Sequence, residues 1–339
     1  MHLKFSYSLI FLILLIGCSE SKETRLQRFL AQGNDMVQKQ NFEEAVNFYE
    51  GALKLDSCFA DALNNLGSVY YRQRNFTGAQ DQYSKAIFCK PDFVPAYINR
   101  ANTYYELNEL FSALKDLDFV EKVKPDTLAL HFSRGLIYTK LKDFSKAKKS
   151  FNKAMKIDPV NTELLINMGT LYYYEGKYDS AQEYLIPVIS NHPHHHAYNT
   201  LAMIEIEKGN FDKALELITQ ALKLKPRDPY ILNNRGYIYL LKKETQRAVN
   251  DIDESITLDP YNGWAYRNKG IYYLNTERTD DAIRMFVQAE KMDSDIDDIY
   301  LYLGRAYQKN SQKSMACKSF QKALERKQIE EDVFRKYCQ

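Results

Sequence analysis

The feature that most constrains this chain is an alanine that returns at a nearly fixed interval. It lies inside the stretches "NFEEAVNFYEGAL", "NFTGAQDQYSKAI", "DFSKAKKSFNKAM" and "NFDKALELITQAL", and the spacing is 34 residues except for one step of 33. The nine copies are Ala45, Ala79, Ala113, Ala147, Ala181, Ala214, Ala248, Ala282 and Ala316. Seven of the nine copies have a tyrosine nine residues before the alanine. A fixed period of this length predicts stacked repeats rather than one globular core.

Each period contains two helical patterns. Apolar or small residues recur at i, i+3, i+4 and i+7 in its first half, which is typical of an amphipathic helix. In the second period the two patterns consist of Leu63, Leu66, Gly67 and Tyr70, then Ala79, Tyr83 and Ala86. A proline near the end of six periods stops the second helix, because proline cannot continue it. A lone helix pair cannot cover its apolar side, so the pairs must stack.

These markers resemble the tetratricopeptide repeat (TPR) family. The resemblance implies an all-α fold, a right-handed superhelical solenoid of antiparallel helix pairs, over residues 26–330. The nine expected units are 26–59, 60–93, 94–127, 128–161, 162–194, 195–228, 229–262, 263–296 and 297–330. Residues 331–339 are expected to form a C-terminal cap, with Val333, Phe334 and Tyr337 covering the last unit.

The N-terminus, "MHLKFSYSLIFLILLIGCSE", differs from the rest of the chain. Its apolar run is shorter than the roughly 20 residues that span a bilayer, so it indicates a secretory signal. The run ends in Leu15-Ile16-Gly17-Cys18, which resembles a bacterial lipobox. That resemblance implies a signal peptide over 1–17, acylation (palmitate) of Cys18, and a polar tether within 18–25. By resemblance, Ser19 favours the outer membrane. The alternative is an ordinary signal peptide or anchor with an incidental cysteine.

Composition and motifs exclude several functions. With 46 basic and 44 acidic residues the formal net charge is +2, which gives no electrostatic footprint for nucleic acid. No Gly-rich phosphate loop, HExxH or GxSxG motif is present, and the repeats leave no room for a catalytic domain. We therefore predict a protein that is not an enzyme, binds no cofactor and binds no nucleic acid.

Family resemblance places certain positions of the first helices on a concave peptide-binding groove. Five carry asparagine, a poor mid-helix residue whose amide could grip a peptide backbone: Asn65, Asn99, Asn167, Asn234 and Asn268. The alternative is that these amides bond to a neighbouring repeat or to water. Large amphipathic rings next to the core tyrosines are further candidates for partner contact: Tyr71, Tyr105 and Tyr173. The alternative for these is the chain's general use of tyrosine.

Two ion pairs are predicted inside single units, Arg100–Asp116 and Arg235–Asp251, because each arginine takes a normally apolar position. The cysteines after Cys18 match no disulfide scaffold or metal pattern, so we expect free thiols at Cys58, Cys89, Cys317 and Cys338.

Four of the six histidines lie in "NHPHHHAYNTLA", where the single 33-residue step falls. Adjacent His194, His195 and His196 are expected to diverge around a helix start and to prefer the neutral form there. No cysteine or acid lies at ligand spacing, so no metal site is predicted. Only His196 is expected to face the groove.

Taken together, these features predict a membrane-anchored, exported scaffold that binds a partner protein of the cell envelope through its groove. The alternative is a structural or regulatory subunit that uses its ends or convex face. The sequence leaves the partner, the oligomeric state and the side of the membrane open.

Overall fold

A computed structural model describes residues 20–338, and within that range it contains 19 α-helices and no strand. Its contacts divide the chain into two compact units, Met1–Asp158 (unit 1) and Pro159–Gln339 (unit 2), each considered by itself below. In both units consecutive helices pair and the pairs stack, which confirms the all-α repeat fold.

The described part of unit 1 holds four helix pairs. Their helices are α1 (Lys22–Gln38), α2 (Phe42–Leu55), α3 (Ala60–Arg72), α4 (Phe76–Cys89), α5 (Val94–Glu106), α6 (Leu110–Val123), α7 (Leu128–Lys140) and α8 (Phe144–Ile157). Odd-numbered helices are the first helices of their repeats and even-numbered helices are the second.

Unit 2 holds five helix pairs and a terminal helix. These are α9 (Thr162–Tyr174), α10 (Tyr178–Asn191), α11 (His195–Glu207), α12 (Phe211–Leu224), α13 (Pro229–Leu241), α14 (Thr245–Leu258), α15 (Gly263–Asn275), α16 (Thr279–Met292), α17 (Ile299–Lys309), α18 (Lys313–Glu325) and α19 (Glu331–Cys338). The nine pairs coincide with the nine periods of the sequence.

The repeated small residues allow the two helices of each pair to approach closely. All nine period alanines are buried, and a large side chain from the second helix lies against the glycine of the first. At Gly67, for example, an added Cβ would lie 2.7 Å from Cε1 of the buried Tyr83 ring. The ring therefore occupies the space that any larger residue would need, which is why the pattern alternates small and aromatic positions.

The turn between the two helices of a pair always uses one residue with positive φ. In the first repeat this is Gln40 (φ 59°), and the next amide, that of Asn41, donates to the Met36 carbonyl 2.9 Å away. The equivalents are Arg74, Asn108, Lys142, Gly176, Gly209, Lys243, Glu277 and Ser311. This is the Schellman ending of a helix, which glycine adopts most easily. Only two of the nine turns use glycine.

Both predicted ion pairs are present and bidentate. Arg100 donates from Nε and Nη2 to the Asp116 carboxylate at 2.8 and 2.7 Å. Arg235 does the same to Asp251 at 2.6 and 2.8 Å. Each pair joins the two helices of one repeat at a point where other repeats have an apolar contact. The aspartate thus neutralises the arginine there through charge-assisted hydrogen bonds.

The segment expected to form the C-terminal cap contains helix α19, which packs on α18. The ring of Tyr337 stacks on the buried Phe320 ring with 5.0 Å between centroids, and Val333 and Phe334 are half-buried. This helix removes part of the apolar side of the ninth repeat from water.

The expectation of four free thiols is wrong, because the structure pairs them. Cys58, in the turn after α2, is bonded to Cys89 at the end of α4, and Cys317 of α18 is bonded to Cys338 of α19. The first bond joins the first repeat to the second, and the second bond fastens the cap. Each bond therefore adds a covalent link between neighbouring elements of the stack.

Helix α1 begins at Lys22, four residues before the predicted start of the first repeat, because the Ser21 hydroxyl caps it by accepting from the Thr24 amide. The helix thus takes up half of the predicted tether. The predicted signal peptide and Cys18 lie outside the described residues. Within residues 20–338, no helix is both long and apolar enough to cross a membrane.

Candidate functional site

The first helices form a continuous layer in each unit. Within a unit, every first helix contacts the next first helix, whereas no second helix of the described chain contacts another second helix. The layer is α1, α3, α5 and α7 in unit 1, and α9, α11, α13, α15 and α17 in unit 2; we call its solvent side the first-helix face. The sequence-predicted groove residues all belong to first helices, whereas Cys18 lies outside the described residues.

In unit 1 the predicted asparagines bond to asparagines of the preceding repeat. Asn65 Nδ2 donates to Asn34 Oδ1 at 2.9 Å, and Asn99 Nδ2 donates to Asn64 Oδ1 at 2.9 Å. Asn64 in turn donates to Asn65 Oδ1 at 3.2 Å. These amides form a ladder that stitches three consecutive first helices together.

Unit 2 repeats the same arrangement. Asn234 Nδ2 donates to Asn199 Oδ1 at 2.9 Å, and Asn268 Nδ2 donates to Asn233 Oδ1 at 2.8 Å. The Asn268 oxygen accepts from Nε and Nη2 of the buried Arg267, at 3.1 and 2.9 Å. At four of the five predicted positions the amide thus donates to a neighbouring repeat. This is the alternative to peptide binding that the sequence left open for these asparagines.

Asn167 is the exception among the five. Its Nδ2 donates to the backbone oxygen of Glu163, 2.8 Å away and one turn earlier in α9. Asn64, Asn199 and Asn233, the acceptors for Asn99, Asn234 and Asn268, take the same position in their repeats. In the repeat before Asn167, that position holds Phe132. The ladder therefore depends on an asparagine in two consecutive repeats, and Asn167 lacks that partner.

The predicted tyrosines lie near the C-terminal ends of their helices. The Tyr71 hydroxyl donates to Glu106 Oε1 at 3.3 Å, and Lys140 Nζ lies 4.6 Å from the centroid of the Tyr105 ring. Burial raises the pKa of Tyr71, and the Glu106 carboxylate raises it further. Each ring is thus linked to a charged residue of the next repeat.

Tyr173 ends α9 in an aromatic group, with centroids 5.4 Å from Tyr174 and 6.1 Å from Tyr178. Burial raises the pKa of Tyr173, and the carboxylate of Glu207, at the end of α11, adds to this rise. The carboxyl of Asp297, just before α17, contributes as well. Residues of α9, of α11 and of the turn before α17 therefore all act on the Tyr173 hydroxyl.

The three adjacent histidines do not diverge as expected. Ring centroids of His194, His195 and His196 lie 4.5, 5.5 and 4.1 Å apart in the three pairs. The reason is that His194 is the N-cap of α11 and turns back over the helix, where its Nδ1 accepts from the His196 amide at 3.3 Å. His196 is exposed, as a residue on the first-helix face must be.

The protonated form of two of these rings is disfavoured. Burial lowers the pKa of His195 to about 4, helped by the neighbouring His196 and His194 rings. Burial and His194 also lower the pKa of His196. Among residues 20–338 no group of three or more His, Cys, Asp or Glu is placed to hold a metal ion.

Several residues of the first helices escaped the sequence analysis. Buried Arg267 lies over the rings of Trp264 and Tyr237, 4.9 and 5.0 Å from their centroids, and its Nη1 donates to the Asp297 backbone oxygen at 3.2 Å. Tyr174 is 56% exposed at the end of α9. Arg267 and Tyr174 are residue types found at those positions in no other repeat, so no repeated pattern indicated them.

A stack of helix pairs whose first helices form a continuous layer within each unit defines a repeat scaffold. Tetratricopeptide repeat models match residues 33–74, 129–161, 166–215, 199–263 and 267–328. The chain belongs to the tetratricopeptide repeat family. Repeats of this family act as protein–protein interaction scaffolds and are typically not catalytic. A comparison with curated proteins found no match.

Solved structures agree on the fold. A chain of the crystal structure of the APC/C hetero-tetramer Cut9–Hcn1 superposes with a TM-score of 0.68 at 18% identity, covering 94% of this chain and 63% of that one. The present chain thus spans less than two thirds of that relative. Lower similarity is found to a tetratricopeptide repeat protein from Parabacteroides merdae (TM-score 0.42, 21% identity, 83% and 98% covered) and to yeast Tom70 (0.45, 17%, 90% and 77%).

Proposed function

We propose that this protein is an exported, lipid-anchored scaffold that captures a partner protein of the cell envelope along its first-helix face. The observation that carries the proposal is the first-helix layer itself. In each unit it presents a run of amide and aromatic side chains from consecutive repeats, a surface suited to an extended peptide or a helix. Tyrosine suits such a role because it combines a large apolar ring with a polar tip.

The two disulfides support the exported location. Disulfides persist in oxidising compartments such as the periplasm and the cell surface and are rare in the reducing cytosol. The bonds Cys58–Cys89 and Cys317–Cys338 are therefore what an exported repeat protein would use. The lipid anchor rests on the sequence of residues 15–18 alone, and Ser19 favours the outer membrane by resemblance.

The asparagine ladder favours a second candidate function, a structural or regulatory subunit that uses its ends or the second-helix side. Four of the five predicted asparagines use their amide donors between repeats, so those donors are not available to a peptide backbone. On the second helices, Phe88 and Phe111 are 84% and 79% exposed. Exposed aromatic rings of this kind can serve a partner on that side.

Site-specific photocrosslinking in the native cell separates the two candidates. A photoreactive amino acid is placed at Tyr105 and Tyr174 on the first-helix face, and in matched variants at Phe88 and Phe111 on second helices. The proposal expects one discrete partner, identified by mass spectrometry, from the first pair and not from the second. Capture only at Phe88 or Phe111 would establish the alternative.

The anchor has a separate test. Inhibition of the lipoprotein signal peptidase should make the unprocessed precursor accumulate, and Cys18→Ala should release the protein from membranes. Unchanged processing under inhibition, or a Cys18→Ala protein still firmly in membranes, would exclude the lipobox interpretation while leaving the scaffold proposal intact.

A further inference from the structure

Helix α8, a second helix of unit 1, differs from the other second helices in its charge. Between Phe144 and Ile157 it holds five lysines and no aspartate or glutamate, whereas every other second helix of the described chain carries at least one carboxylate. Four of these lysines are spaced three or four residues apart, so they lie on one side of the helix. They are Lys146, Lys149, Lys153 and Lys156, and we call them the lysine face.

The lysine face points away from the core. All four of its side chains are exposed, while the opposite side of α8 is buried around Phe151. The remaining exposed residues of the helix are Ser145, Asn152 and Ile157. The solvent side of α8 therefore contains cationic, neutral polar and aliphatic side chains, with no carboxylate and no aromatic ring.

Carboxylates of the protein neutralise only two of the four lysines. Asp143 lies 2.8 Å from the Lys146 ammonium and also caps α8, because it accepts from the Lys146 amide at 3.1 Å. The Lys153 ammonium is 3.6 Å from Glu121, but that carboxylate also accepts from Arg134 at 2.7 Å. Glu121 is thus shared between two cations.

The other two lysines have no counter-ion in the protein. Neither Lys149 nor Lys156 forms an ion pair with any residue between 20 and 338, and both side chains are exposed. Like charges three or four residues apart on a helix repel one another. An anionic surface would remove that repulsion, so the lysine face is complementary to a negatively charged partner.

The composition of this face favours a lipid surface over a protein. Lysine is a flexible point charge that meets phosphate without a fixed geometry, whereas the anchors of protein interfaces are mostly tryptophan, tyrosine and arginine. Ile157 is 46% exposed at the end of α8, beside Lys156, and can enter the headgroup region. Clusters of lysines bind anionic leaflets because each charge adds to the attraction.

We propose that the lysine face of α8 binds the phosphate groups of an anionic membrane surface. The inference rests on the membrane-anchored scaffold proposed above and adds how unit 1 meets the membrane, namely through its second-helix side. First and second helices form the two sides of each pair, so the first-helix face of unit 1 stays open to a partner protein. The lysines thus orient the scaffold as well as hold it.

Vesicle cosedimentation tests this inference with the full chain carrying Cys18→Ala, so that no acyl chain contributes. Binding is measured to vesicles of equal parts phosphatidylglycerol and phosphatidylcholine, and to vesicles of phosphatidylcholine alone. The ratio of the two partition coefficients reports the contribution of charge; it should exceed about one hundred and fall as salt is added. Lys149→Gln/Lys153→Gln/Lys156→Gln should lower that ratio by about a hundredfold, since each lysine near an anionic surface contributes a factor of about five.

A matched control removes three lysines from other second helices. Lys54, Lys223 and Lys291 are exposed on α2, α12 and α16 and form no ion pair within the described chain, so their change to glutamine alters net charge equally. The control should keep the ratio, as should the charge-preserving change of Lys149, Lys153 and Lys156 to arginine. Equal losses in the two glutamine variants, a loss in the arginine variant, or a ratio near one for the starting protein would overturn the proposal.

Competition separates a lipid surface from other anionic partners. An acidic peptide of glutamate and serine, at an equal concentration of charged groups, should not displace the protein from the anionic vesicles. Displacement would identify an acidic protein segment as the occupant and overturn the proposal. Soluble glycerol phosphate should also fail, because a single headgroup cannot occupy several lysines at once; displacement by it would overturn the proposal in favour of a small anion.

The native cell distinguishes this inference from the scaffold proposal. Crosslinking from Tyr105 reports partner capture through the first-helix face, which none of the lysine variants changes. A ratio that is insensitive to the lysine face, together with intact capture at Tyr105, would refute this inference alone. Vesicle binding that depends on the lysine face, without capture from any first-helix position, would refute the scaffold proposal alone.

Discussion

The disulfide between Cys58 and Cys89 offers the sharpest test of how this array is held together. The bond joins the turn after α2 to the end of α4, and the two cysteines are 31 residues apart in sequence. Replacing both by serine removes the link while leaving the rest of each repeat unchanged. Cys58 is exposed and Cys89 half-buried, so two serines leave little unsatisfied polar surface.

The magnitude follows from the length of the closed loop. In the chain-entropy model, a loop of this length restricts the unfolded chain by about 3.5 kcal/mol, and measured values fall between about 2 and 4 kcal/mol. The effect should concentrate on the second repeat, because the loop that the bond closes contains α3 and α4. Opening of α3 and α4 should therefore become easier by that amount.

Hydrogen exchange followed by mass spectrometry measures this opening directly. A loss of about 2–4 kcal/mol corresponds to a fall of roughly 30- to 900-fold in the protection of amides in α3 and α4. Helices of unit 2 provide the internal reference and should keep their protection. The matched variant Cys317→Ser/Cys338→Ser should instead release α19 and leave α3 and α4 unchanged.

Two results would refute the reasoning. Unchanged protection of α3 and α4 in the Cys58→Ser/Cys89→Ser protein would mean that the bond does not stabilise the second repeat. A peptide map of the exported protein without reducing agent that shows free thiols at both positions would mean that the bond does not form. The second result would also remove the support that the disulfides give to an oxidising compartment.

Three further predictions concern stability. Asp251→Asn should lower the free energy of unfolding in urea by about 2–4 kcal/mol, because it leaves the half-buried Arg235 unpaired. The control Arg235→Met/Asp251→Leu should lower it by less, and equal losses in the two variants would contradict the ion-pair argument. Arg74→Gly should raise the unfolding free energy by about 0.5–1 kcal/mol, since Arg74 has φ 60° and glycine adopts that conformation without strain; a loss of stability would contradict it. The pKa of His195 is about 4 in the folded protein, against the usual value of 6.5 in the unfolded chain. The unfolded chain therefore binds more protons than the folded protein between these two pH values. Stability should thus fall as pH drops from about 6.5 toward 4, and His195→Gln should flatten that part of the urea-midpoint profile.

The fold was predictable because the period repeats nine times and each marker has a steric reason. Ala79 and Gly67 are small where two helices touch, and Tyr83 fills the space beside them, so their spacing alone locates both helices. The ion pair of Arg235 with Asp251 was predictable because Arg235 takes a normally apolar position and Asp251 lies at a fixed distance from it in the same repeat. Features that depend only on position within one repeat can thus be read from one sequence.

Features that depend on how one repeat meets the next could not be read in this way. Cys58 and Cys89 are separated by three residues less than one repeat period, so they take different positions in successive repeats. They come together only when the two repeats are stacked. The positive φ of Arg74 has no sequence signal, since arginine has no preference for that conformation. The clustered histidine rings depend on the way His194 caps α11, which the residue types do not determine.

The asparagine ladder changes how this face can recognise a partner. A free row of amides would grip the backbone of any extended peptide, with little selection for its sequence. Here the amides of Asn99, Asn234 and Asn268 are given to the neighbouring repeat, so they fix the spacing of the first helices instead. Selection must then come from side chains at the ends of those helices, such as Tyr174 and Glu207, whose charge and rings discriminate between partners. A scaffold of this kind should choose its partner by side-chain chemistry rather than by a general affinity for unfolded chains.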